Sequence, residues 1–319
     1  QRALDQLYLN TNKENATSRV TLQLAPGEYK LTGTIYIPPF ASISGAGADK
    51  TVFNTSATKG FTFVNTSSVK GGPYNQNTNI SYNNQARQVR IEGITVNHTA
   101  NGTLFEVDSV RDSEFVNLKV IGQWTAGSAL NTDQKAFELK GYSQAVMSNN
   151  NTFTNVEIRN YTYPIYSDYD IKNTVIENCD FSTCVFGIVL GENTSVGSLG
   201  QEFGPRYMRI TDCTFDEIAR QAIWAVLGKD IQSSNNTFYS VGNNSGTEAN
   251  CIYSVIKFDQ VGNTSSNDFF QRFGLLSFDQ QYIVNQKFAP IVEGPGIVDL
   301  NHSDTLEVVY QSVPNRFFR

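Results

Sequence analysis

One short pattern recurs along this chain and constrains it more than any other feature. It is an apolar residue, a Gly, Asn or Asp two positions later, then two apolar residues flanking one polar residue. It reads Ile91-Glu92-Gly93-Ile94-Thr95-Val96, Phe115-Val116-Asn117-Leu118-Lys119-Val120, Phe153-Thr154-Asn155-Val156-Glu157-Ile158, Ile176-Glu177-Asn178-Cys179-Asp180-Phe181 and Ile210-Thr211-Asp212-Cys213-Thr214-Phe215. A degenerate copy is Asn235-Asn236-Thr237-Phe238. The turn residues Gly93, Asn117, Asn155, Asn178, Asp212 and Asn235 are 24, 38, 23, 34 and 23 residues apart, so the unit is about 23 residues and two units carry insertions. Alternation on either side of the turn marks short strands with one face inward. Gly, Asn and Asp are the residues that best tolerate φ > 0 at a sharp turn. A single unit cannot bury its own apolar face, whereas stacked units share a continuous core.

A further strand follows each copy: Leu104–Asp108, Ala136–Lys140, Pro164–Asp168, Gly187–Gly191, Ile223–Leu227 and Cys251–Val255. Two or three short strands per unit of about 23 residues predict an all-β solenoid, a right-handed parallel β-helix. Asn stacked above Asn predicts a hydrogen-bonded ladder of Asn117, Asn155, Asn178, Asp212 and Asn235 along the stack.

Composition agrees with this and removes other classes. Of 319 residues 32 are Asn, 54 are Ser or Thr, 36 are Phe or Tyr, and only 17% are charged. A hydrophobic fraction of 39% supports a large core and excludes wholesale disorder. Strands with frequent turns suit this texture better than a helical bundle does. No apolar run reaches about 18 residues, so no membrane insertion is expected. A net charge of −6 argues against a nucleic-acid partner. Two His and four Cys without a Cys-x-x-Cys argue against a zinc site, and no other metal is assigned. Cys179 and Cys213 share a column and read as small inward apolar residues. Asn-x-Ser/Thr occurs 13 times, above composition, which N-glycosylation or selection for Asn and Thr at turns would each explain.

Leu24-Ala25-Pro26-Gly27-Glu28-Tyr29-Lys30-Leu31-Thr32-Gly33-Thr34-Ile35-Tyr36-Ile37-Pro38-Pro39 resembles the opening turn of pectate-lyase-superfamily β-helices. Ser42-Ile43-Ser44-Gly45-Ala46-Gly47 and Thr51-Val52-Phe53 resemble the turn that follows it. The resemblance covers about residues 20 to 260, and the texture looks like the bacteriophage tail spike or tail fibre branch. It implies a virion structural protein, extracellular on a virion tail. The expected partners are a host cell-surface polysaccharide and other virion proteins, with the chain itself a homotrimer. Two alternatives stay open: a polysaccharide depolymerase, hydrolase or lyase, and a secreted cellular β-helix adhesin. Fold alone does not choose among them. The polygalacturonase-like members carry Asn-Thr-Asp, Asp-Asp, Gly-His-Gly and Arg-Ile-Lys. Only Asn131-Thr132-Asp133 matches here, and no calcium cluster of the pectate-lyase type is evident, so the balance leans away from an enzyme.

The expected organisation is an N-terminal cap at 1–19, a parallel β-helix at 20–262, and a C-terminal cap or the start of a further β subdomain at 263–319. Long polar insertions are expected at Gly71–Ala86, Gly122–Asp133 and Glu192–Pro205. The start at Gln1 without Met, and the strand-like Leu306-Glu307-Val308-Val309-Tyr310 near the end, suggest a piece of a longer chain.

Candidate chemistry comes from stacking the second strands. In register, Phe105, Phe137, Ile165, Ile188, Trp224 and Ile252 would share an inner column. Glu106, Glu138 and Tyr166 would then stack outside, as would Asp108, Lys140 and Asp168. Adjacent carboxylates about 4.8 Å apart would raise one pKa. A raised and an ordinary carboxylate are what glycoside hydrolysis needs, so Glu106, Glu138 and Asp168 are the catalytic candidates. The same acids are a possible Ca²⁺ set, no other cofactor being implied, or else plain surface acids beside Lys140. Trp124, Tyr161, Tyr163 and Tyr166 are the glycan-binding candidates, as rings that stack on sugars.

Overall fold

The computed structural model describes residues 1–11, 20–76, 80–126, 128, 133–141, 146–167, 171–191, 204–242, 255–259, 262–266, 268–271 and 292–293. Its strands form two sheets, one of 18 strands and one of nine, and every strand pairing is parallel. The chain is a right-handed parallel β-helix. Each rung contributes one to three short strands to the larger sheet and one strand to the smaller. The rung built from Arg90–Glu92, Thr95–His98 and Gly102–Asp108 shows the plan.

The bends explain why this sequence closes into rungs. Gly93, Asn117, Asn155, Asn178, Asp212 and Asn235 all have φ between 51° and 66° and stack in one column. A second column lies five residues earlier in each rung: Gln88, Asp112, Asn150, Asn173, Tyr207 and Asp230, with φ between 49° and 57°. A third contains Asn160, Thr183, Glu217 and Ser240. Amides bond along the stack. Asn155 Nδ2 donates to Asn117 Oδ1 at 3.0 Å, Asn173 Nδ2 to Asn149 Oδ1 at 2.9 Å, and Asn97 Nδ2 to Asn54 Oδ1 at 2.8 Å.

Inside, aromatic columns run along the axis. Phe61, Phe105 and Phe137 stack at 4.7 and 4.6 Å, Phe115 on Phe153 at 4.7 Å, and Phe181, Phe215 and Phe238 at 4.7 and 4.9 Å. These separations match the strand spacing of about 4.8 Å, so the rung repeat itself brings near-parallel rings into contact. Cys179, Cys184 and Cys213 are buried free thiols. A hydrogen bond with Cys179 and burial together push the Cys213 thiol far above the usual range.

At the start, helix Arg2–Tyr8 lays Leu4 and Tyr8 on the core. An apolar cavity of about 210 Å³ lies between this helix and the first rung, lined by Leu22, Leu24, Tyr29, Leu31 and Phe53 among others. Among the described residues, no helix is long and apolar enough to cross a membrane.

Past 262, Thr264–Ser266, Phe269–Gln271 and Val292–Glu293 pair in parallel with Gln232–Ser234, Thr237–Tyr239 and Ile256–Lys257. One expectation needs correction. The inner column is Phe105, Phe137, Ile165, Ile188, Ile223 and Ile256. Trp224 sits one residue off it, facing out between Val189 and Lys257, and Ile252 is outside the described residues. A one-residue slip reverses every side chain in a strand, and Ile223 next to Trp224 gave two plausible registers.

Candidate functional site

The outer column of the smaller sheet runs Thr62, Glu106, Glu138, Tyr166, Val189, Trp224 and Lys257. Glu106 is only 3% exposed. Its carboxylate accepts from Lys59 Nζ at 2.8 Å, Lys140 Nζ at 3.0 Å and Thr62 Oγ1 at 3.1 Å. Glu138 accepts from Thr103 Oγ1 at 3.1 Å and Lys135 Nζ at 3.2 Å, with Lys140 Nζ at 3.6 Å. Asp108 lies beside Lys140 in register, as expected, and Asp168 is outside the described residues.

The electrostatics reverse the expected chemistry. Burial alone would raise the Glu106 carboxyl, but the Lys59 and Lys140 ammonium groups outweigh it, and its pKa falls below the ordinary value. Burial would lower Lys140, but Glu138 and Glu106 hold it above the ordinary lysine range. Glu106 is therefore an ionised member of a lysine–carboxylate network, with no proton to give at neutral pH. Among the described residues no group of three or more His, Cys, Asp or Glu is gathered as a metal would require. Asp133 is exposed and pairs with Lys135 at 3.3 Å, while Asn131 and Thr132 are outside the described residues.

The four aromatic candidates divide into two pairs. Trp124 is 4% exposed and Tyr161 fully buried, so neither offers a face to a sugar. Tyr161 follows Asn160, whose φ of 63° turns the chain inward and puts the ring near His98. Trp124 packs with Val185, Phe186, Val189 and Ala219 in a small apolar cluster separate from the main core. Tyr163 and Tyr166 are half-buried against that cluster. Tyr163 stacks on Phe186 at 5.2 Å, and Lys135 Nζ lies 4.5 Å from the centre of the Tyr166 ring. Trp224 continues the ridge, its Nε1 donating to Asp259 Oδ2 at 2.8 Å.

The larger sheet holds a feature that the repeat pattern did not reveal. The second bend column, with the strand residues that follow it, lines an open groove of about 490 Å³. Asn150, Asn173, Tyr207 and Asp230 occupy the bend, and Arg209 and Gln232 form one wall. Tyr207 is 54% exposed and holds φ at 56°, a left-handed conformation unusual for a bulky residue. The column is readable in the sequence only after the fact, as the positions five residues before each turn.

No family model matches the sequence, and no curated protein does. Several solved structures are similar in fold. ORF18 of Geobacillus virus E2 is 12% identical at a TM-score of 0.46, covering 92% of this chain and 55% of its own. The gp42 tailspike of Acinetobacter phage vb_AbaP_AS12 is 11% identical at a TM-score of 0.44, covering 86% of this chain and 52% of its own. The Streptococcus pneumoniae surface protein and adhesin PfbA is 11% identical at 0.35, covering 88% and 89%. The chain thus spans about half the length of the two viral proteins. The β-helix itself is established by the strand register described above.

Proposed function

We propose that this chain is a shaft segment of tail-spike type that binds a host surface polysaccharide along its flank without cleaving it. The groove at the second bend carries the reading. It offers amides for sugar hydroxyls, one exposed ring for a sugar face, and charged groups at its wall and base, in an arrangement repeated from rung to rung. The alternative, a depolymerase working through Glu106 and Glu138, is disfavoured at Glu106, whose carboxylate Lys59 and Lys140 hold ionised. Trimeric assembly and a place on a virion tail belong to the same proposal.

The test is to incubate the protein with host exopolysaccharide and follow both retention of the polymer and release of new reducing ends or unsaturated products. Retention without products, weakened by Tyr207→Ala, is the expected result. Products that disappear in Glu138→Gln would instead establish the depolymerase. A monomer in sedimentation of the chain would remove the trimer.

A further inference from the structure

We infer that the same flank is built for an acidic polysaccharide lying along the axis, an inference that rests on the binding reading above. Arg87 pairs in parallel with Arg111, Arg111 with Asn149, Asn149 with Lys172, Lys172 with Arg206, and Arg206 with Lys229. Five of these six successive positions are basic. The strand spacing sets them about 4.8 Å apart, so a chain laid along the column meets a cation on nearly every rung.

Like charges directly opposite one another in a sheet are destabilising, and this protein carries −6 overall. Many of its other basic groups are paired: Lys59, Arg90, Lys119, Lys135, Lys140, Arg159 and Lys257 each meet a carboxylate. In the column only Arg111 is paired, to Asp112 of its own bend. Among the described residues Lys172, Arg206, Lys229 and the groove-lining Arg209 form no ion pair. Arg206 Nε is buried without a hydrogen-bond partner. Asp230 is the one carboxylate lining the groove beside these cations.

The flanking groups favour a glycan over a nucleic acid. Asn150, Asn173 and Gln232 suit hydroxyls, and the exposed rings are widely separated. Tyr82 lies 4.3 Å from the Arg111 guanidinium, whereas Tyr207 adjoins Arg206, three rungs along and about 14 Å away. Successive bases need successive stacking platforms, which this flank lacks.

The experiment measures affinity of the whole chain for polygalacturonate and hyaluronan, for their carboxyl-reduced neutral forms, and for a single-stranded oligonucleotide. The acidic polymers should bind at least about tenfold more tightly than their reduced forms, and less tightly as salt shortens the Debye length. Lys229→Gln, at an exposed position, and Arg206→Gln should each weaken acidic-polymer binding by about tenfold, with circular dichroism unchanged. Tyr207→Ala should weaken both forms. Equal binding of acidic and reduced polymers would overturn the anionic assignment and leave the binding reading standing. Binding of no polymer would overturn both. Tighter binding of the oligonucleotide than of any polysaccharide would replace the glycan with a nucleic acid.

Discussion

Asn117, Asn155 and Asn178 hold φ near +50° in successive rungs, where most side chains pay a steric penalty. Asn155 also donates its amide to Asn117. Asn155→Ala should therefore cost about 1–2 kcal/mol in urea unfolding, from the left-handed backbone and the lost amide bond. Asn155→Gly should cost less, because glycine keeps the conformation. Gly102 is more demanding. Its φ is 126°, and a Cβ there would lie 2.2 Å from the Thr58 carbonyl oxygen of the previous rung. Gly102→Ala should destabilise more than either Asn155 variant and reduce soluble yield. The first bend column was legible because Gly, Asn and Asp mark it. The second escaped although Asp112, Asn150, Asn173 and Asp230 mark it in the same way, and the third because Thr183, Glu217 and Ser240 adopt the same backbone without advertising it. There the stacked neighbours impose the conformation, and composition carries no trace of that.

The outer strands of the smaller sheet show what pairing does to charge. Stacking placed Glu106 against Glu138 as the repeat foretold, but Lys59, Lys135 and Lys140 come from three different positions and neutralise them. Register was readable from period-two alternation as far as Ile188 and failed at Trp224. The lysine reach across rungs was not, because a flexible side chain has no periodic signature. Burial of Trp124 and Tyr161 escaped for a related reason, since a ring beside a turn faces in or out according to the turn's hand. The depressed Glu106 pKa contributes stability above the unfolded carboxylate value of about 4.3, and this is lost as pH falls through the lower folded value. Glu106→Gln should therefore flatten the acid limb of a stability-versus-pH curve measured by chemical denaturation. The raised Lys140 pKa works at the other end. Its contribution is present below about 10.4 and is lost as pH rises through the higher folded value, so Lys140→Met should flatten the alkaline limb.

As a whole the molecule is nearly one-dimensional, each rung touching only its neighbours. Removing Asn151–Asn173 joins Asn150 to Thr174 and deletes one full unit while leaving all three bend columns aligned. That deletion should keep the β-sheet circular dichroism signature with a lowered melting temperature. Removing half as many residues from the same place should give no folded protein, because it would put inward residues outside. The basic column belongs to this scale too. Its members lie six residues before Gly93, Asn117, Asn155, Asn178, Asp212 and Asn235, so a single stripe is written across six separate stretches of chain.

Parallel pairing along one axis also decides how such a rod breaks. The hydrogen bonds between Glu114–Ile121 and Thr152–Arg159 point from rung to rung, roughly along the length. Tension applied end to end loads every bond of an interface together, whereas a sideways tug at a terminal strand loads them one after another. The rod should bear a steady pull along its length and unravel, rung by rung, when peeled from a free end.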